Sequence, residues 1–229
     1  MQNSTAFKVK KLYNNIFLFL FESGYDAAMA FVRVAEFYES EFAQAKGRYF
    51  TLEEYMKWYA EKYGQGAFTY PNDWAGWNVP GDHFLKWLNM YRGKFRPMEL
   101  EVFAETIMNL GEEKIVKSYF IGTYKCDSLD EVITHELAHG LYHMSRTYKS
   151  NMNELIDRLG KRERARMEEF VRNLGYIKKM WKDEIQAYIV GGEVHEGYDF
   201  SEVALRDEFV EVYKRFKKRG LNGGNGWEE

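Results

Sequence analysis

Apolar positions along this chain recur at two different periods. Residues 8–23 carry the unbroken run IFLFLF (Ile16 to Phe21) and read as a strand or a strand pair. A short aromatic run of this kind suits a buried strand, and it falls far short of the roughly 20 residues that span a bilayer. From Tyr25 to Gly47 the period changes: Ala28, Phe31, Val32, Ala35 and Phe42 fall at helical spacing. Thr51 with Glu54 predicts a reciprocal cap opening a helix through Tyr63, which Gly64 stops. The segment FTYPNDWAGWNVPGD (Phe68 to Asp82) is dominated by Asn, Asp, Gly and Pro and predicts a loop. Its Tyr70, Trp74 and Trp77 either pin it to the body or line a cleft, pinning being the commoner role of such aromatics.

Helical spacing resumes at 82–92 and 97–110. KIVKSYFIGTY (Lys114 to Tyr124) is rich in β-branched and aromatic residues and predicts a strand. A helix follows in CDSLDEVITHELAHGLYHMSRTY, with Ser128 and Glu131 matching a capping pair and Asp130 and Glu131 suiting the positive end of the helix dipole. Further helices are expected near 151–159, 161–174, 177–190 (stopped by Gly191-Gly192) and 201–218. The fold class that follows is α+β, predominantly α-helical, with a short sheet from the N-terminal half. No repeat or internal linker breaks the sequence, so residues 1–229 read as one continuous domain. The glycine-rich end LNGGNGWEE, 221–229, reads as a mobile tail.

Composition narrows the classes. A net charge of -3 gives no reason to expect nucleic acid or an anionic membrane as partner. The one cysteine, Cys126, cannot form an internal disulfide. The N-terminus has no long apolar segment ending in small residues. These features together point to a cytoplasmic protein. Aromatic content of 17% implies that many Phe and Tyr are core.

Chemistry concentrates in THELAHGLYH, Thr134 to His143, which holds three of the five histidines. His135 and His139 are one helical turn apart, with a rise of about 6 Å and a rotation of about 40°, so both imidazoles leave one face. Two nitrogens so placed can bind one zinc ion at ~2.0–2.1 Å. Glu136 points about 100° away from His135. It reaches the edge of the site without filling a coordination position, where a general base must stand. His143 lies roughly 12 Å in rise from His135, too far to share the ion, and reads as a packing or supporting histidine.

His135-Glu136-Leu137-Ala138-His139 resembles the HExxH signature of the zinc metallopeptidases known as zincins. The metzincin branch places a third histidine six residues after the second, where this chain has Ser145. In KDEIQAY (Lys182 to Tyr188), Glu184-Ile185-Gln186-Ala187 resembles the glutamate-helix element of the gluzincins, the thermolysin-like branch. That resemblance implies Glu184 as third ligand, with the small Ala187 allowing close helix approach. Asp183 is the neighbouring alternative, or a partner for the outer N–H of a ligating imidazole. HELAHGLYH is also similar to the phage-repressor-cleaving metallopeptidases. The likeness falls within residues 111–200, which then form a zincin-like metal-binding core with an active-site helix. Residues 1–110 carry no such likeness, so no substrate carries over.

What the resemblance implies is a zinc-dependent peptidase: one zinc ion held by His135, His139 and Glu184, Glu136 as general base, and a peptide or protein as substrate. In zincins the strand before the histidine helix forms the upper edge of the cleft and pairs with an extended peptide; here that strand is SYFIGTY. His195, Tyr188 and Tyr148 are candidate oxyanion donors. Two other readings stay open: a non-catalytic zincin fold that binds or scaffolds, and a helical interaction protein without metal.

Overall fold

In the computed structural model, residues 6–42 and 44–221 are described. The described residues divide into two compact units, one of residues up to 11 and 15–129, the other of residues 12–14 and 130–221. The boundary, at Leu129, falls at the first residue of the histidine helix. Helices predominate, and the main sheet is small and mixed, which makes the class α+β.

The first unit opens with β1 (Phe7–Tyr13) and β2 (Ile16–Phe21), then α1 (Gly24–Glu39) and α2 (Leu52–Lys62). The short α3 (Tyr70–Asp73), β3 (Gly76–Pro80), α4 (Gly81–Tyr91), α5 (Pro97–Leu110), α6 (Glu112–Val116) and β4 (Tyr119–Tyr124) complete it. Residues 8–23 are thus a strand pair, and IFLFLF is almost entirely buried, as its composition requires. Thr51 and Glu54 form the expected reciprocal cap: Thr51 N donates to Glu54 Oε2 at 2.6 Å and Glu54 N to Thr51 Oγ1 at 3.2 Å. The helix expected to run to Gly47 stops at Glu39 instead. Ser40 ends it, and its hydroxyl accepts from the backbone N–H of Phe42 at 3.0 Å, offering the chain a turn in place of another helical bond.

The sheet order is β1-β2-β4-β3. β2 and β4 run parallel from Ile16 opposite Tyr119 to Phe21 opposite Tyr124, while β3 is antiparallel to β4. Two expectations are corrected here. The segment Phe68 to Asp82 is not simply loop, because long-range pairing with β4 draws Gly76–Pro80 into a strand that local turn composition does not reveal. And β4 is no cleft edge: neighbours on both sides take up its backbone groups, so a peptide cannot add to it. Tyr70 and Trp77 do pin their segment. Both are buried, and Trp77 Nε1 donates to the Tyr70 hydroxyl at 2.9 Å.

Phenylalanines hold the layers together. Phe19, Phe21 and Phe31 meet edge-on, and Phe7 packs on both strand residues. α1 lies so close to β4 that a Cβ on Gly122 would sit 2.5 Å from the Phe31 ring. Arg33 of α1 is buried against Glu99 of α5, with Nε donating to Oε1 at 2.6 Å.

The second unit contains α7 (Leu129–Met144), α8 (Arg146–Arg158), α9 (Lys161–Asn173) and α10 (Trp181–Gly191). A two-stranded ribbon, β5 (Val194–His195) and β6 (Tyr198–Asp199), and a 3-10 turn at Phe200–Glu202 lead into α11 (Arg206–Leu221). The ribbon was not expected from the sequence, since two-residue strands carry no periodicity. α10 packs against α8, α9 and α11, and its Ile185, Gln186, Ala187 and Ile189 are fully or nearly fully buried. The tail from 222 on lies outside the described residues. Among the described residues no helix is long and apolar enough to cross a membrane.

Candidate metal centre

α7 and α10 supply the site. On α7 the one-turn spacing brings the His135 and His139 rings to 4.8 Å between centroids, with their Nε2 atoms 3.0 Å apart. Glu184, in the first turn of α10, places its Oε2 3.6 Å from His139 Nε2. The donor atoms of His135, His139 and Glu184 all lie within 4.8 Å of one another. His139 and Glu184 are each 3% exposed, and Glu184 Oε2 has no hydrogen-bond partner. A buried carboxylate oxygen without a partner is costly and calls for an explanation.

The opposite ring nitrogens are committed. His139 Nδ1 lies 2.8 Å from Asp183 Oδ1, and His135 Nδ1 lies 2.5 Å from Glu193 Oε1. With each Nδ1 turned to a carboxylate oxygen, the two Nε2 atoms are left facing each other. Burial alone disfavours a charge on His139, but the charges of Asp183 and Glu184 outweigh it and hold this imidazole well above its ordinary pKa. For His135, burial is likewise overcome, by the bond to Glu193 and its charge. Burial pushes Glu184 up to about 7 in spite of the two imidazoles. Protons thus compensate a pocket of facing acceptors, which is the electrostatic signature of a place suited to a cation.

Two imidazole nitrogens and one carboxylate oxygen are a donor set for zinc, whose tetrahedral ligands at ~2.0–2.1 Å stand about 3.3 Å apart. Two of the three separations, 3.0 and 3.6 Å, bracket that spacing, and the third, from His135 to Glu184, is no more than 4.8 Å. Glu136 follows His135 in α7 and is buried, and its charge acts on both imidazoles and on Glu184.

The remaining expected residues fall as follows. Asp183 takes the outer N–H of His139 and leaves the metal side to Glu184. His143 is exposed and outside the donor cluster. Ser145, at the metzincin position, caps α8 by accepting from Tyr148 N at 3.2 Å. Tyr148 is wholly buried and donates to Gln186 Oε1 at 2.9 Å, while Gln186 donates to Asp183 Oδ1 at 3.2 Å. Its hydroxyl thereby braces Asp183 and is not directed at a substrate. Tyr188 packs its ring on His135, 4.8 Å between centroids. His195 Nε2 lies 3.0 Å from Glu193 Oε2, so it is taken up by the carboxylate that also meets His135 Nδ1. Neither Tyr148 nor His195 is therefore set to receive a developing oxyanion. Glu193 was not anticipated from the sequence: it follows a helix stop, and no spacing rule links it to His135.

Comparison of the chain with protein-family models, with curated proteins and with solved structures gives no match.

Proposed function

We propose that the second unit is the centre of a zinc-dependent peptidase of zincin type, with His135, His139 and Glu184 as metal ligands and Glu136 as general base. The observation that carries this reading is the partnerless, buried Glu184 Oε2 converging with two Nε2 atoms whose other ring nitrogens are already occupied. Zinc bound there supplies Lewis acidity, which acidifies a water molecule and polarises a carbonyl. Glu136, adjacent to the donors but not one of them, takes the proton that this water gives up and passes it to the leaving amine. Asp183 and its brace of Gln186 and Tyr148 keep His139 from rotating. The sharing of HExxH and a downstream helical glutamate with the gluzincins supports peptide hydrolysis over other reactions open to the same centre.

Glu136→Gln is expected to retain stoichiometric zinc while turnover of a peptide library falls by about 10²–10⁴-fold. Glu184→Ala should lower zinc content markedly and His143→Ala little. Metal loss ranked the other way round defeats the ligand assignment. A wild type that holds zinc and cleaves nothing in the library leaves the binding or scaffold reading in its place.

A further inference from the structure

A single carboxylate behind His135 links the centre to the molecular surface. Glu193 is the second residue beyond α10. Its Oε1 lies 2.5 Å from His135 Nδ1 and its Oε2 lies 3.0 Å from Nε2 of His195, whose side chain is 37% exposed. The Glu193 carbonyl accepts from Phe200 N at 3.0 Å, so its backbone is tied to the 3-10 turn as well.

The route that brings it there depends on two glycines. Gly192 takes the left-handed conformation, φ +72°, and its N–H bonds to Tyr188 O at 2.9 Å. A Cβ at this position would lie 2.3 Å from a guanidinium nitrogen of Arg206, whose Nε donates to Ile189 O at 3.2 Å. A Cβ on Gly191 would lie 3.0 Å from Glu193 Oε1, the very atom that meets His135. Glycine at both positions lets the chain double back tightly enough to lay the carboxylate on the imidazole.

We propose that Glu193 is a positioning residue of the centre: it fixes His135 as the Nδ1–H tautomer and aims its Nε2 at the metal, while His195 holds the second carboxylate oxygen in place. The inference rests on the reading of His135 as a zinc ligand. A neutral imidazole has one N–H, and a carboxylate at Nδ1 claims it, which leaves the Nε2 lone pair for the cation and raises its basicity. Asp183 does the same for His139 from inside α10, so each ligating ring is gripped by a separate carboxylate.

Glu193→Ala and Glu193→Gln separate this role from general structural damage. Zinc affinity, measured by chelator competition, is expected to fall about 10–100-fold in Glu193→Ala. It should fall less in Glu193→Gln, whose amide oxygen still accepts from Nδ1–H. In ¹⁵N histidine spectra of the zinc-loaded protein, the protonated Nδ1 of His135 should be slow to exchange in wild type and Glu193→Gln and fast in Glu193→Ala. If Glu193→Ala fails to fold, Glu193→Gln still decides, because turning its amide nitrogen to Nδ1 must cost affinity in part of the population. Zinc bound as tightly in both variants as in wild type, with the His135 spectrum unchanged, overturns the positioning role and leaves the ligand assignment standing. A wild type that takes no zinc removes the ligand assignment. The His135 tautomer of the metal-free protein then tests Glu193 by itself, with loss of Nδ1–H in Glu193→Ala in its favour and an unchanged tautomer against it.

Discussion

At the scale of single residues, the metal-free centre holds protons that the unfolded chain would release. Glu184 sits at about 7 and His139 well above its ordinary value. Both folded-state pKa values exceed the unfolded ones, so the folded protein binds more protons and the sign follows directly: the stability they contribute is full at low pH and is lost as pH rises. For Glu184 the loss spans the interval from the ordinary glutamate value to about 7; for His139 it continues above the ordinary histidine value. Urea unfolding of the zinc-free protein should therefore show falling stability between pH 5 and pH 8, and saturating zinc should remove most of that fall. A zinc-free protein equally stable across this range contradicts the proton-filled site.

The two donors that the histidine helix contributes were legible from residue spacing alone, because a turn of helix fixes the relation of i and i+4. Glu184 required a resemblance, since nothing local relates it to a helix 45 residues earlier. Glu193 was illegible for a different reason. Its place depends on a left-handed Gly192 and on the space left by Gly191, and neither has a periodic signature.

At the scale of elements, local chemistry and long-range pairing divide the outcome. The cap of α2 and the buried run of β2 needed only neighbours in sequence, and both form as expected. α1 ended early because the Ser40 hydroxyl takes the backbone N–H of Phe42, and β3 exists because β4 pairs with it. α1 lies tightly on β4. Gly122→Ala would drive a methyl to 2.5 Å from the Phe31 ring, and it should cost about 1–3 kcal/mol in urea unfolding followed by circular dichroism. A loss below about 0.5 kcal/mol, the size expected of a substitution with no steric consequence, would mean that the layers are not packed this tightly. The interior place of β4 also removes the one sheet edge that resemblance had offered for a peptide.

At the scale of the whole molecule, the predominance of helix and the α+β class followed from periodicity summed over long segments, which tolerates errors at individual boundaries. The division into two compact units left no such trace, because no proline-rich or polar linker marks the passage at Leu129. All of the candidate chemistry belongs to the second unit: His135, Glu136, His139, Asp183, Glu184 and Glu193 lie beyond that point. The most direct test is X-ray diffraction from zinc-soaked crystals at the zinc absorption edge. The expected result is one anomalous peak per chain, within ~2.0–2.2 Å of His135 Nε2, His139 Nε2 and a Glu184 oxygen. A map with no peak among these three side chains, or with its peak on other ligands, contradicts the account.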